Sequence, residues 1–238
     1  MDLKETDILG TDIAKHWYYR SKAEAMKRML GEWTPSRLLD VGAGSGFFSR
    51  HLLVHSPALG AWCVDISYNA DSDATEACKP LYFRRSIESV NADLVLMMDV
   101  LEHVDDDVGL LKDYVSKVPS GARFLISVPA FQFLWSGHDD FLEHKRRYTL
   151  NQLKGVARCA GLKVKHSAYY FGMVFPIAAT IRLAEKMSKW KNSAPRSHLT
   201  RHHPLVNGAL TVLCQAELPF MTFNQLAGLT VFCLAEST

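Results

Sequence analysis

Three glycines at alternate positions, Gly42, Gly44 and Gly46, close the stretch LLDVGAGSG at residues 38–46 and constrain the fold more than any other part of the chain. Residues 36–41 have the length and apolar character of a buried strand, and residues 47–54 can continue as a helix. The glycines fall at the turn between them. Lacking Cβ atoms, they admit positive φ and let the backbone approach a ligand at the helix N-terminus. Strand, glycine turn and helix in succession make the nucleotide-binding unit of a doubly wound sheet, whose ligands lie beyond the carboxyl ends of the strands. The plainer alternative is a strand–turn–helix in which the glycines serve the turn alone.

Spacing narrows the choice of nucleotide. Dinucleotide folds use G-x-G-x-x-G, whereas here the pattern is G-x-G-x-G, followed by Phe48 and Ser49. A second apolar run at residues 61–66 (AWCVDI) carries Asp65, roughly twenty residues past the loop, where an acid can hold a ribose diol. This combination resembles motifs I and II of the class I S-adenosylmethionine (SAM) dependent methyltransferases. The resemblance implies SAM as cofactor, S-adenosylhomocysteine (SAH) as its product, and Asp40, Gly42, Gly44, Gly46, Asp65 and Ile66 as cofactor-binding residues. SAM has no pyrophosphate, so the loop is expected to meet its methionine and ribose portions.

Length and composition agree with a single α/β domain. The chain has 238 residues, 48% hydrophobic and 22% charged, ordinary values for a soluble protein. A formal charge of +2 gives no reason to expect a nucleic-acid partner. Five cysteines (Cys63, Cys78, Cys159, Cys214, Cys233) are dispersed without zinc spacing, which reads as reduced thiols in a cytoplasmic enzyme and predicts no metal. The polar start MDLKETDILG is unlike a signal peptide, and no run of about 18 uncharged apolar residues is long enough to span a membrane.

Strand and helix signals go on alternating. Strands are predicted at residues 81–85, 93–100, 122–129, 162–171 and 225–236, with a helix from the acids Asp105, Asp106 and Asp107 to about Val118. Thr149 and Gln152 make a capping box for a helix closing near Gly161. The expected architecture is a doubly wound seven-stranded mixed sheet, Rossmann-like, with an antiparallel last strand. Residues 1–35 form a helical cover, 36–171 the core, 172–224 a helical excursion and 225–238 the last strand.

The segment Asp99-Val100-Leu101-Glu102-His103-Val104 resembles the D-x-L-E-H motif of ubiquinone-type small-molecule methyltransferases. That resemblance implies that backbone near Asp99, Val100 and Leu101 faces SAM and that His103 lies beside the transfer site. Alternatively, Glu102 and His103 are a polar pair at a helix start. Further on, VPA at 128–130, LWSGHD at 134–139 and HKRRYT at 144–149 look like a bacterial methyltransferase subgroup bearing "HD…H-x-RRYT". His138 can serve as general base on a hydroxyl, with His103 and His144 as the other candidates. Arg146 and Arg147 can grip an anionic group, or they and Tyr148 brace the loop instead.

Trp17-Tyr18-Tyr19-Arg20 resembles the aromatic helix that covers SAM in this subgroup, and implies Trp17 and Arg20, the latter on the SAM carboxylate, as cofactor-binding. Ser86 stands where many relatives place an aspartate toward the adenine, and Ile66 with Ile87 can sandwich the base. In the excursion, apolar residues recur at helical spacing around a basic run with Lys186, Lys189, Lys191, Arg196 and Arg201, and with His198, His202 and His203. Such a hairpin can meet an anionic membrane or lipid-linked substrate, or pack on the sheet with its basic loop solvated.

These readings converge on methyl transfer to a small-molecule acceptor, a hydroxyl oxygen being preferred because an amine needs no base. An N- or C-methyltransferase on a small or lipid-linked envelope metabolite, and a SAM-binding protein without catalysis, stay open. An NAD(P) oxidoreductase is disfavoured by the glycine spacing.

Overall fold

The computed structural model describes residues 10–187 and 203–238. Lys189, Lys191, Arg196, His198, Arg201 and His202 of the basic run lie outside the described residues. Eight strands form one sheet in the order β3-β4-β2-β1-β5-β6-β8-β7. They are β1 (Arg37–Val41), β2 (Gly60–Val64), β3 (Ser72–Glu76), β4 (Lys79–Arg84), β5 (Leu94–Met98), β6 (Arg123–Pro129), β7 (Leu162–Tyr170) and β8 (Thr230–Ser237). Strands β4, β2, β1, β5 and β6 run parallel, while β3 and β8 pair antiparallel with their neighbours. The antiparallel last strand is as expected; the strand count is not, being eight rather than seven.

The extra strand is β3. It hairpins onto β4 through Ala77 and Cys78, both at positive φ (49° and 60°), the backbone of a tight two-residue hairpin turn. Such turns usually carry Asn or Gly, and β3 itself is a short, largely exposed polar edge. Neither feature announces a strand.

Among the described residues seven α-helices accompany the sheet. They are α1 (Trp17–Leu30), α2 (Phe47–His55), α3 (Asp107–Ser116), α4 (Gly137–Phe141), α5 (Leu150–Cys159), α6 (Phe175–Met187) and α7 (Pro204–Met221). Strand side chains alternate between two cores, as period-two geometry requires. Leu38, Leu94, Leu96 and Phe232 face the side of α1, α2 and α7 with Met26, Leu52 and Cys214. Leu39, Val95, Met97 and Cys233 face the side of α3 and α5 with Leu111 and Leu153. Thr149 and Gln152 cap α5 reciprocally, as their spacing predicts, and Asp106 caps α3 by accepting from the Gly109 amide at 2.8 Å.

Helix α7 is tied to the start of α1. The Asn207 side chain accepts from the Trp17 amide at 2.8 Å and donates to the Lys15 carbonyl at 2.9 Å. Buried Glu217 accepts from the amides of Gly172 (2.8 Å) and Met173 (3.1 Å), fixing the exit from β7. Helix α7 is therefore tied to α1 and to the exit from β7. No helix among the described residues is long and apolar enough to cross a membrane.

Candidate active site

The order in which successive strands are added reverses between β1 and β5, which run parallel, and this is the switch point at which doubly wound sheets bind ligands. The glycine loop leaves β1 there. Gly42, Gly44 and Gly46 all adopt positive φ (66°, 53° and 73°). A Cβ on Gly42 would stand 2.8 Å from Val100 Cγ2, so the strand exits pack too closely for any side chain at that point. Val100 is thereby placed against the loop. Asp40 is buried and accepts from Ser49 Oγ at 2.8 Å, which pins α2 to β1.

Asp65 closes the loop from β2. Its carboxylate accepts the Gly44 amide at 3.0 Å and the Ser67 amide at 3.0 Å, and bonds the Ser67 hydroxyl. Burial alone would raise its pKa, but these hydrogen bonds, led by Ser67, outweigh burial and hold the carboxyl below its ordinary value. Ile66 beside it is 86% exposed, an aliphatic surface laid open at the strand end. Ser86 is exposed and Ile87 half-buried just beyond β4.

A cavity of about 350 Å³ opens beyond β5 and β6. Trp17 and Tyr18 of α1, Asp99 and Glu102 after β5, His138 of α4, His144, and Arg182 of α6 line it among largely apolar walls. The volume is that of a small-molecule site. The indole N–H of Trp17 is buried without a partner among the described residues, a donor left for a ligand.

Asp99 holds φ +60°, a conformation Asp tolerates better than most residues, and accepts Ser127 Oγ at 3.3 Å. Its main partner comes from α1. Lys22 is fully buried, bonds Asp99, and donates to the Tyr18 hydroxyl at 3.2 Å. Burial would lower the Lys22 pKa, yet the charge of Asp99 reverses the shift and keeps the amine protonated.

Lys22 corrects the expectation for Arg20. Arg20 is exposed and lines a different cavity with Glu24, His51 and His55. Tyr18 and Lys22 are four apart and share a helix face, while Arg20, two residues from each, points nearly the opposite way. The Tyr18-x-x-x-Lys22 spacing was the available signal.

Leu101 follows Val100 on the same turn. Its side chain is fully buried in the core beneath α3, and only its carbonyl is engaged, lying 3.1 Å from the Tyr148 hydroxyl. Glu102 is fully buried, and neither carboxylate oxygen has a hydrogen-bond partner among the described residues. Burial, then the charge of Asp99, pushes its pKa well above the ordinary carboxylate value. The His103 and His144 rings meet edge to face, 4.7 Å between centroids.

The basic pair is structural. Arg147 is buried and clamps Asp139 with Nε at 2.7 Å and Nη2 at 2.9 Å. Asp139 also takes His144 Nδ1 at 2.9 Å and the Ser136 amide at 2.8 Å. Burial opposes ionisation of Asp139, but the His144 and Arg147 hydrogen bonds hold its pKa far below the ordinary value. Arg146 donates to the Asp105 carbonyl at 2.8 Å and pairs with Asp107. Arg147 lines the cavity with its guanidinium committed to Asp139, and it is joined there by Arg182, whose pKa burial, helped by the charge of Arg147, pushes down to about 10. It lies in the excursion, where no motif marked it.

The sequence profile of the methyltransferase domain family matches residues 14–167. The chain belongs to this family. It is a SAM-dependent methyltransferase with the class I fold. No curated protein matches it in sequence. Among solved structures it is similar to a methyltransferase from Haloferax volcanii in complex with the Trm112 activator, at 14% identity and TM-score 0.57, covering 95% of this chain and 92% of that one. It is also similar to phosphoethanolamine N-methyltransferase 2 of Haemonchus contortus (14% identity, TM-score 0.55), covering 100% of this chain and 60% of that one. The cyclase SpnF shares the fold as well, at 14% identity and TM-score 0.50 over 92% of this chain and 79% of that one. At such identities the likeness is one of fold, and the acceptor must be argued from the site.

Proposed function

We propose that the chain transfers the methyl group of SAM to a hydroxyl oxygen of a small molecule held in the cavity beyond β5 and β6, with His138 taking the hydroxyl proton. The observation that carries this reading is the placement of His138 in the wall of a mostly apolar cavity that also contains Asp99 at the strand switch. Gly42, Gly44 and Gly46 would meet the methionine and ribose portions of SAM, and Asp65, Ile66, Ser86 and Ile87 would hold its ribose and adenine. Trp17, Lys22, Asp99 and Val100 would border its methionine end. SAM supplies a methyl already activated on a sulfonium, so the protein's task is to orient a desolvated nucleophile in line with it. His138 removes the proton whose retention would leave the oxygen a poor nucleophile. Arg182, cationic at neutral pH, faces the same space and suits an acceptor with an anionic substituent.

The "HD…H-x-RRYT" segment supports membership in the bacterial subgroup through structural roles. Asp139 and His144 bond each other, and Arg147 clamps Asp139 at the cavity wall. His138→Ala tests the proposal. Turnover should fall roughly 10²–10⁴-fold with SAM affinity nearly unchanged, and the wild-type rate should drop in acid as the imidazole takes up a proton. Normal turnover in the variant would move the base to His103 or His144, or make the acceptor a nitrogen.

A further inference from the structure

Among the described residues the Glu102 carboxylate is wholly buried, faces the cavity, and has no side-chain hydrogen-bond partner on either oxygen. An isolated buried carboxyl is costly and ordinarily has a partner. Around it, one oxygen of Glu102, one ring nitrogen of His103 and one of His144 all lie within 4.8 Å of one another. We propose that Glu102, His103 and His144 bind a divalent transition-metal ion in the wall of the acceptor cavity.

The donor set decides the metal class. Two imidazoles and one carboxylate suit zinc, iron(II), manganese or cobalt better than the all-oxygen coordination of magnesium or calcium. Ligands about 2.0–2.1 Å from a tetrahedral ion sit roughly 3.4 Å apart, so side-chain adjustment of about an ångström completes the site. His144 is already oriented for the task. Its Nδ1 is taken by Asp139 at 2.9 Å, which leaves Nε2 as the ligand atom. Asp139 is in turn locked by Arg147 and Ser136. A carboxylate behind a histidine, itself fixed by further bonds, is how proteins hold metal-binding imidazoles in place.

Three protein ligands leave coordination positions open, and both Glu102 and His144 line the cavity, so those positions face the acceptor. The proposal rests on methyl transfer and narrows the acceptor to one with a metal-ligating oxygen. A bound cation would place that oxygen and lower the pKa of its hydroxyl. The proton leaves to His138, the oxygen lone pair forms the new bond to the methyl carbon, and the carbon–sulfur pair departs with SAH.

Cobalt(II) is the probe. The full chain, stripped with chelator, is dialysed against cobalt(II), and bound metal is measured by elemental analysis and visible absorption, with SAM binding measured by calorimetry on the same samples. One cobalt per chain is expected, with affinity at least tenfold weaker in Glu102→Gln and His144→Ala. A 10–100-fold weakening is expected in Asp139→Asn, and none in His55→Ala, which lies in the other cavity. Unchanged SAM binding in Glu102→Gln shows that this variant is folded. If wild-type protein binds SAM but no cobalt, or if cobalt binding ignores both Glu102→Gln and His144→Ala, the metal site is refuted while methyl transfer stands. Cobalt binding without SAM binding would refute the site's coupling to methyl transfer.

Discussion

Asp139→Asn probes the scaffold of the site most sharply. The side chain is fully buried, and its two oxygens receive Arg147 Nε and Nη2, His144 Nδ1 and the Ser136 amide. Asparagine keeps the shape but removes the charge and turns one acceptor into a donor facing other donors. Arg147, with only 3% of its side chain exposed, then keeps a buried charge with no counter-charge in place. Breaking a buried pair from one side costs about 3–5 kcal/mol, a large share of the 5–15 kcal/mol that holds a typical domain. For a chain of this length each kcal/mol moves Tm by about 2–4 °C, so a drop of roughly 6–20 °C is expected. Thermal melts by circular dichroism measure it. A double-mutant cycle with Arg147→Met should recover much of the loss, because the stranded charge is gone. A Tm within 2 °C of wild type, or strictly additive effects in the cycle, would refute the role assigned to this cluster.

Two further outcomes follow. Burial first, then the stacked His55 ring at 4.3 Å and Lys27, holds His51 down at a pKa of about 4. The fold therefore favours neutral His51; its contribution is complete above pH 6.5 and is lost as pH falls toward 4. Denaturant melts of His51→Gln should show a flatter stability profile over that window, and an unchanged slope would remove His51 from the acid response. Leu205, Val206, Val212 and Phe220 of α7 are exposed, with Phe223 and Leu226 beyond it, which supports contact between the excursion and a lipid surface. Flotation with anionic liposomes at low salt should carry the protein upward and Lys189→Gln/Lys191→Gln/Arg196→Gln less so, while wild-type protein remaining in the soluble fraction would sink the idea.

How much of this was legible in the sequence follows from where the physics is local. The glycine loop, the buried parallel strands and the Thr149–Gln152 cap are written in short-range patterns, and the structure has them. Strand β3 escaped because Ala77 and Cys78 form a left-handed turn without Asn or Gly, stabilised by pairing with β4 rather than by their own preferences. Arg20 and Lys22 are both cations on one helix, and only the direction in which α1 packs decides which is buried. Arg147 is spent on Asp139 and Arg182 enters the cavity for a similar reason. The partner that captures Arg147 is eight residues away, whereas the cavity that receives Arg182 is assembled from distant segments.

The central claim is that the glycine loop and Asp65 hold the methyl donor while the cavity beyond β5 and β6 takes the acceptor. Calorimetric titration of SAH into wild type, Asp65→Ala and His138→Ala tests it directly. Removing the Asp65 carboxylate should cost about 1–3 kcal/mol, a weakening of roughly 5- to 150-fold, with His138→Ala binding SAH as wild type does. Equal affinity in Asp65→Ala and wild type, or a loss of SAH binding in His138→Ala instead, would contradict the account.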